Sequence, residues 1–164
     1  MTKSTEIQTE RLRLVLKSQQ EILDFLKGMS PSDRKEVSPD WLNQVRNSRT
    51  ADPWIHGYKL VEIASQITVG TGAFKGPPSP DGVVEIAYGV DPKFRGKGFA
   101  TEAAAGLTAF AFSTGQVNLV RAHTLPESNA STHVLTKCGF KHVGEVNDPD
   151  DGKVWRWEIQ NERA

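Results

Sequence analysis

The 164-residue chain lacks several features that would assign it directly to a class of protein. Its one cysteine, Cys138, forms no internal disulfide, which is typical of a reducing compartment. Basic and acidic residues number 20 each, whereas nucleic-acid-binding domains usually carry a basic excess. No stretch approaches the ~20 apolar residues of a membrane span, and the N-terminus lacks the apolar core of a signal peptide. We therefore expect a cytoplasmic protein with no nucleic-acid or membrane partner.

Length and composition predict one domain, residues 1–164. Hydrophobic residues make up 37% of the chain, enough for a single core. Strand-like runs are interspersed with helical patterns, which favours an α/β or α+β fold with a mixed sheet. The predicted strands are 12–16, 58–63, 67–74, 83–90, 118–125, 141–146 and 153–159. The predicted helices begin near Ser18, Ser38, Phe99 and either Ser128 or Asn129.

The most informative segment, residues 91–102, joins a predicted strand to a predicted helix and has the sequence DPKFRGKGFATE. The start of a helix has unpaired backbone N–H groups and roughly half a positive charge, and glycine lets that backbone approach a phosphate closely. Gly96 and Gly98, with a basic residue before each, therefore predict an anion-binding loop. A basic surface turn is the alternative interpretation.

The spacing excludes several common sites. No glycine stands at the distance that a Walker loop requires before Gly-Lys-Ser/Thr. The dinucleotide fingerprint needs a third Gly or Ala where Thr101 stands, and an acidic residue about 20 positions later. The four histidines and Cys138 show no metal-ligand spacing. The acidic segment 147–152 lacks the ligand order of a calcium loop, so it is interpreted as a hairpin turn with Asp151-Gly152 at its tip.

What does fit is the acyl-CoA loop of the GNAT superfamily of N-acetyltransferases, with a Gln or Arg, two residues, Gly, one residue, then Gly or Ala. Gly96 and Gly98 match this pattern, and Lys93 stands at its first position. Residues 128–140, with Asn-x-Ser followed by V-L-x-K-x-G-F, resemble the second half of the same core, particularly its ribosomal-protein N-terminal acetyltransferase branch. The segment TERLRL at 9–14 resembles the first strand of that branch.

The resemblance implies a GNAT fold, with a central, mostly antiparallel sheet of about seven strands and about four flanking helices. It implies acetyl-CoA as acetyl donor, no metal, and a homodimer as one assembly. Backbone N–H groups from Arg95 to Thr101 would hold the CoA pyrophosphate, and Asn129 would contact the pantetheine. The full set of implied cofactor contacts is Tyr88, Gly89, Val90, Lys93, Arg95, Gly96, Lys97, Gly98, Phe99, Ala100, Thr101, Asn129, Ser131 and Lys137.

The implied reaction moves an acetyl group from acetyl-CoA to a primary amine, of a small molecule or of a protein N-terminus. The amine must be neutral to attack. A terminal α-amine has a pKa of about 7.7–8, whereas that of a lysine amine is about 10.4. Deprotonating the lysine amine therefore costs roughly 3.4 kcal/mol more. An α-amine therefore demands less of a general base. The alternative function is a non-catalytic acyl-CoA-binding or sensing module on the same fold.

Glu85 is the candidate general base, because it lies on the strand before the loop and many family members have a glutamate there. A carboxylate paired with an arginine is the alternative. Counting back from Gly139 places the family's proton-donating tyrosine at Leu135, whose side chain has no acidic proton to donate. Ser131 is then the candidate to hydrogen-bond the leaving sulfur, unless it is a helix residue without a chemical role.

Candidate acceptor contacts come from both sides of the cofactor segments. They are Trp41, Trp54, Phe74, Glu85 and His123, with His56 as a further candidate. His123 is also an alternative base, because the ordinary pKa of histidine lies near neutrality. For the aromatic residues, packing is the alternative interpretation.

Overall fold

The structure is a computed structural model that describes residues 6–149 and 151–161. Over these residues, one eight-stranded sheet has the order β1-β2-β3-β4-β5-β6-β8-β7. The strands are β1 (Glu6–Gln8), β2 (Leu12–Leu16), β3 (Tyr58–Glu62), β4 (Thr68–Phe74), β5 (Val83–Val90), β6 (Leu119–Thr124), β7 (Lys141–Asp148) and β8 (Gly152–Gln160). Every neighbouring pair is antiparallel except β5 with β6, which is parallel.

Five α-helices connect these strands: α1 (Gln19–Lys27), α2 (Pro31–Arg34), α3 (Pro39–Asn47), α4 (Phe99–Ser113) and α5 (Ala130–Lys137). Side-chain caps fix where four of them begin. Ser18 forms a reciprocal capping box with Glu21 at α1, and Ser30, Ser38 and Asn129 cap α2, α3 and α5. No helix within the described ranges is long and apolar enough to cross a membrane.

The predicted mixed, mostly antiparallel sheet is confirmed, and the described residues form one strand and one helix more than the approximate numbers predicted. The additional elements are β1, of three residues, and α2, of four. Neither is long enough to show a hydrophobic period, although Ser30 followed by Pro31 is the same start signal as Ser38 followed by Pro39 at α3. In the hairpin that joins β7 to β8, Asp148 Oδ1 accepts a hydrogen bond from the Asp151 N–H at 3.0 Å. Residue 150 of the predicted turn lies outside the described residues.

The main core lies between the sheet and helices α4 and α5. Leu14, Leu60, Leu107 and Val120 are fully buried there. Helix α4 approaches the sheet closely because β4 carries Gly72 at the contact. A Cβ at that position would lie 3.2 Å from Leu107 Cδ1, so alanine there would require this methyl group to shift by a few tenths of an ångström.

The parallel strands β5 and β6 stay together over only a short distance. Their paired residues run from Val83 to Glu85 on β5 and from Leu119 to Arg121 on β6. Beyond Glu85, β5 continues to pair with β4, and β6 continues to pair with β8. The two strands therefore diverge, and a wedge-shaped gap opens between them.

A buried histidine lies near the start of β3. His56 is 2% exposed, and its Nδ1 accepts a hydrogen bond from the Asp52 N–H at 2.9 Å, which puts the proton on Nε2. Nε2 finds no hydrogen-bond partner among the described residues. Burial lowers the pKa of His56, and the contacts with Asp52 oppose this only in part. Neutral imidazole is therefore the form that the fold accommodates.

We expect this histidine to make the protein less stable in mild acid. The unfolded chain takes up the proton near pH 6.5, whereas the folded state takes it up only at lower pH. The free energy of unfolding should therefore fall as pH drops below about 6.5. Urea unfolding between pH 5 and 8 should show a smaller pH dependence in His56→Asn, which retains an acceptor for Asp52. The exposed control His133→Gln should retain the wild-type dependence, and equal curves for both variants would contradict the assignment.

Candidate active site

A cleft of about 610 Å³ lies beside the end of β5 that has diverged from β6, bounded by the glycine loop and α5. Twelve of the fourteen predicted cofactor residues line it, and the exceptions are Lys93 and Lys97. Four lining residues were not predicted: Phe94, Ala130, His133 and Val134. Residues that are up to 49 positions apart, from Tyr88 to Lys137, thus share one cavity.

The glycine loop presents free backbone donors to this cleft. Gly96 and Gly98 have φ angles of +79° and +84°, the left-handed region that glycine adopts without strain. Gly98 is the N-cap of α4 and has no side chain to cap it, and the first bond within the helix runs from the Glu102 N–H to the Gly98 carbonyl at 3.1 Å. The N–H groups of residues 99–101 therefore have no acceptor within the helix and are available to an anion.

Basic side chains surround this loop. Arg95 Nε donates to the Val90 carbonyl at 3.1 Å, which holds the guanidinium beside the cleft. The ammonium groups of Lys93 and Lys97 lie 5.2 and 5.9 Å from the centre of the Phe94 ring, within cation–π range. The loop thus combines the partial charge of the helix N-terminus with three cations.

The N-terminal turn before β2 is anchored to the start of α4. Glu102 Oε1 accepts hydrogen bonds from Thr9 Oγ1 and from the Arg11 N–H, both at 2.6 Å. Glu102 Oε2 accepts from Arg11 Nε at 2.9 Å. Arg11 Nη1 donates to the Lys97 carbonyl at 2.9 Å, and its guanidinium lies 4.7 Å from the centre of the Phe99 ring. We call Thr9, Arg11 and Glu102 the anchor.

The anchor fixes the peptide between the two loop glycines. In a trans peptide the C=O and the following N–H point in opposite directions. With the Lys97 carbonyl held by Arg11, the Gly98 N–H is directed away from the anchor. Burial raises the pKa of Glu102, but the hydrogen bonds and charge from Thr9 and Arg11 outweigh it, so the pKa is lowered. Glu102 is therefore ionised at neutral pH.

Helix α5 forms the opposite wall. Asn129 Oδ1 accepts from the Thr132 N–H at 3.1 Å, and Thr132 Oγ1 accepts from the Asn129 N–H at 3.0 Å, which fixes the first turn. Ser131, in that turn, is exposed and lines the cleft. Leu135 is fully buried in the core, so the position counted for the family's tyrosine does not face the cleft.

On the other face of the sheet, Glu85 is the centre of a row of titratable side chains. Its Oε2 lies 3.2 Å from Lys75 Nζ and 3.0 Å from His123 Nδ1. Arg156 Nε donates to His123 Nε2 at 3.1 Å. We call Lys75, Glu85, His123 and Arg156 the charged row. Both close contacts of Glu85 involve Oε2, so Oε1 is the oxygen available to a proton.

The contacts of His123 leave it no open lone pair. Its Nε2 accepts from Arg156, which places the proton on Nδ1. Nδ1 is close to Glu85 Oε2, yet the hydrogen-bond angle is poor, and no well-formed bond to Nδ1 exists among the described side chains. The short distance still defines an electrostatic contact. His123 therefore orients toward the carboxylate and is a poor general base in this arrangement.

The aromatic side chains predicted to contact the acceptor make packing and hydrogen-bond contacts within the fold. Phe74 is 3% exposed, and its ring centre lies 4.8 Å from that of Trp54 and 6.5 Å from that of Tyr58. Trp41 Nε1 donates to the Ile55 carbonyl at 2.6 Å. His56 is buried, as described above. None of these contacts is with a side chain of the charged row, whereas Glu85 and His123 lie together in it.

A family model described as "Acetyltransferase (GNAT) domain" matches residues 6–141. This match includes β1 to β6, the glycine loop and α5. The chain belongs to the GNAT acetyltransferase family. No three His, Cys, Asp or Glu side chains within residues 6–149 and 151–161 are grouped to hold a metal ion.

Two curated GNAT relatives are uncharacterized N-acetyltransferases. One is p20 from Bacillus licheniformis, 26% identical over 110 residues, or 67% of this chain and 62% of that protein. The other is YjdG from Bacillus subtilis, 32% identical over 98 residues, or 58% of this chain and 56% of that protein. The matched part thus spans about three fifths of the length of these relatives.

Two solved structures share the GNAT fold. The ribosomal α-N-protein acetyltransferase RimL in complex with coenzyme A superposes with a TM-score of 0.72 and 14% identity, over 97% of this chain and 99% of RimL. A spermidine N-acetyltransferase chimera of SpeG from Vibrio cholerae and hSSAT gives a TM-score of 0.70 and 14% identity, over 92% and 96%. At these identities the comparison establishes the fold.

Sequence reasoning missed two parts of the GNAT site. His133 and Val134 lie one helical turn from Asn129 and Lys137, so helical spacing from those two residues would have indicated them. The anchor had no such local signal, because Arg11 and Glu102 are 91 residues apart. In the sequence, Thr9 and Arg11 stand out only as part of a strand-like segment.

We expect the anchor to contribute measurably to stability. Glu102 has a side chain only 15% exposed and accepts three hydrogen bonds, so Glu102→Ala should lower the free energy of unfolding by about 2 kcal/mol. Urea unfolding followed by circular dichroism measures this. Glu127→Ala, at an exposed position, should change stability by less than about 0.5 kcal/mol. Equal effects of the two variants would contradict a structural role for the anchor.

Proposed function

We propose that this protein is an acetyl-CoA-dependent N-acetyltransferase that acetylates a primary amine, with an α-amine of a protein N-terminus as the favoured class. The observation that carries the proposal is the cleft at the β5/β6 gap, where uncapped helix N–H groups lie across from α5. The charged row lies on the other face of the same gap. The donor and the acceptor can therefore approach the gap from opposite faces.

The loop fits the phosphates of acetyl-CoA. The N–H groups of residues 99–101 provide donors without internal acceptors, and Arg95 adds charge-assisted hydrogen bonds. Asn129 and Ser131 line the wall along which the pantetheine arm would lie. Acetyl-CoA supplies the activated acetyl thioester.

Glu85 is the proposed general base. The neutral amine nitrogen attacks the thioester carbonyl carbon and forms the C–N bond, and its proton passes to Glu85 Oε1, directly or through water. The C–S bond then breaks, and the leaving sulfur takes the electron pair. Ser131 Oγ is the proposed hydrogen-bond donor to that sulfur, since it lines the cleft in the first turn of α5.

One observation favours the alternative, a non-catalytic acyl-CoA-binding module. The position counted for the family's proton-donating tyrosine holds Leu135, which is buried in the core. The two functions differ in thiol release: an enzyme liberates CoA from acetyl-CoA when a suitable amine is present, and a binding module does not. A panel of N-terminal peptides, amino acids and polyamines, assayed with a thiol reagent, separates them.

We predict that acetyl-CoA binding depends on the glycine loop. Gly96 and Gly115 have φ angles of +79° and +75°, and in both cases an added Cβ would meet no atom within 4 Å. Alanine at either position should therefore impose a similar conformational cost. By isothermal titration calorimetry, Gly96→Ala should weaken acetyl-CoA binding by roughly tenfold or more, since it alters the donors of the loop. Gly115→Ala, at the far end of α4, should bind like the wild type.

No acetyl-CoA binding by the wild type at hundreds of micromolar would refute the proposed function. Equal weakening by both alanine variants would instead attribute the effect to stability. A thermal melt of each variant, measured alongside the titration, keeps these outcomes apart.

We predict that Glu85→Gln lowers turnover by roughly 100-fold or more with little change in acetyl-CoA affinity, since the amide accepts no proton. Glu158→Gln is the matched control: Glu158 lies on the same sheet face and pairs with Arg121 at 2.7 Å. This control should retain most of the turnover. Unchanged turnover in Glu85→Gln would exclude Glu85 as the base.

A further inference from the structure

The far end of the charged row carries a guanidinium without a carboxylate. Arg156 is half-buried on β8, and its one hydrogen bond within the described part of the chain goes to the neutral His123. Two other arginines on this face of the sheet, Arg13 and Arg121, each pair with a glutamate, at 3.0 and 2.7 Å. A partly desolvated cation without an anion is costly, and an arginine fork is suited to bind a carboxylate.

The groups around Arg156 do not neutralise it. On β6, Arg121 is matched by Glu158 of β8. Glu85 of β5 is already in contact with Lys75, which follows β4, and His123 stands between Glu85 and Arg156 as a neutral ring. The charged row therefore has two cations and one anion, and its net charge is +1. One cation lies on each side of the carboxylate.

From this arrangement we infer that the acceptor is an α-amine that carries a carboxylate close to the amine, as an acidic peptide N-terminus does, and that Arg156 binds this carboxylate. The inference rests on the proposed function, because it requires the amine to react at Glu85. One imidazole ring separates Glu85 from Arg156, which is a span that a single amino-acid residue can bridge. Lys75 and Arg156 would repel a polyamine, whose amines are all cationic.

The preference for a negative charge beside the amine can be tested with three octapeptides. They begin Ser-Glu, Ser-Gln and Ser-Lys and differ only at this second position. Free glutamate and spermidine are assayed beside them for thiol release from acetyl-CoA. We expect the Ser-Glu peptide to have a kcat/KM roughly tenfold above that of Ser-Gln, with Ser-Lys and spermidine lower still. If free glutamate is acetylated and the peptides are not, the acceptor is a small amino acid that carries the same pair of amine and carboxylate.

Variants of Arg156 connect the preference to this residue. In Arg156→Gln, which can still donate to His123, the ratio of kcat/KM for Ser-Glu to Ser-Gln should fall to within twofold of one. Arg156→Lys retains the charge and should retain a several-fold ratio. Arg13→Gln removes the same charge far along the sheet and should retain the wild-type ratio, which separates a local contact from the effect of net charge.

Failure of this inference and failure of the proposed function give different results. Equal kcat/KM for the three peptides, or a preference for spermidine, would overturn this inference and leave the acetyltransferase proposal standing. An unchanged ratio in Arg156→Gln would overturn the role of Arg156. No thiol release with any amine would overturn both this inference and the catalytic function.

Discussion

The site depends on one constraint, the early divergence of the parallel strands β5 and β6. Parallel neighbours cannot be joined by a hairpin, so the chain between them must cross over, and α4 is that crossover. The crossover starts where β5 ends, which brings the N-terminus of α4 to the edge of the sheet where the gap opens. The anion-binding loop and the gap thus arise from the same connection, and either one would lose its position if the strands paired along their full length.

The divergence also positions the acceptor side. Glu85 is the last residue of β5 that pairs with β6, so its carboxylate lies where the gap begins. His123 lies two residues beyond the β6 partner of Glu85, and β8 brings Arg156 beside it. A one-residue change in the register of β5 would turn Glu85 toward the core face and remove it from this row. The strand pairing that opens the cleft therefore also orients the candidate base.

The parts predicted from sequence are those that local rules determine. Gly96 and Gly98 were recognisable because an uncapped helix start after a strand has a local pattern, and Ser18 was recognisable as a cap for the same reason. The contacts of the anchor with Glu102, and those that join Glu85, His123 and Arg156, were not recognisable, because they connect residues at least 33 positions apart and depend on the order of the strands. Leu135 and Val134 are adjacent and both apolar, so composition could not decide which of them faces the core.

The arrangement of charge also bears on the protonation of the amine. Because Arg156 Nε donates to Nε2 of His123, that nitrogen's lone pair is not open to an acceptor amine in this arrangement. Lys75 and Arg156, on either side of Glu85, disfavour a protonated amine between them, since like charges lower an amine's pKa. An α-amine, whose pKa is already about 7.7–8, would then arrive largely neutral at the open oxygen of Glu85. A lysine amine would need its pKa lowered by more than two further units, so under the proposed function the row would favour an α-amine acceptor.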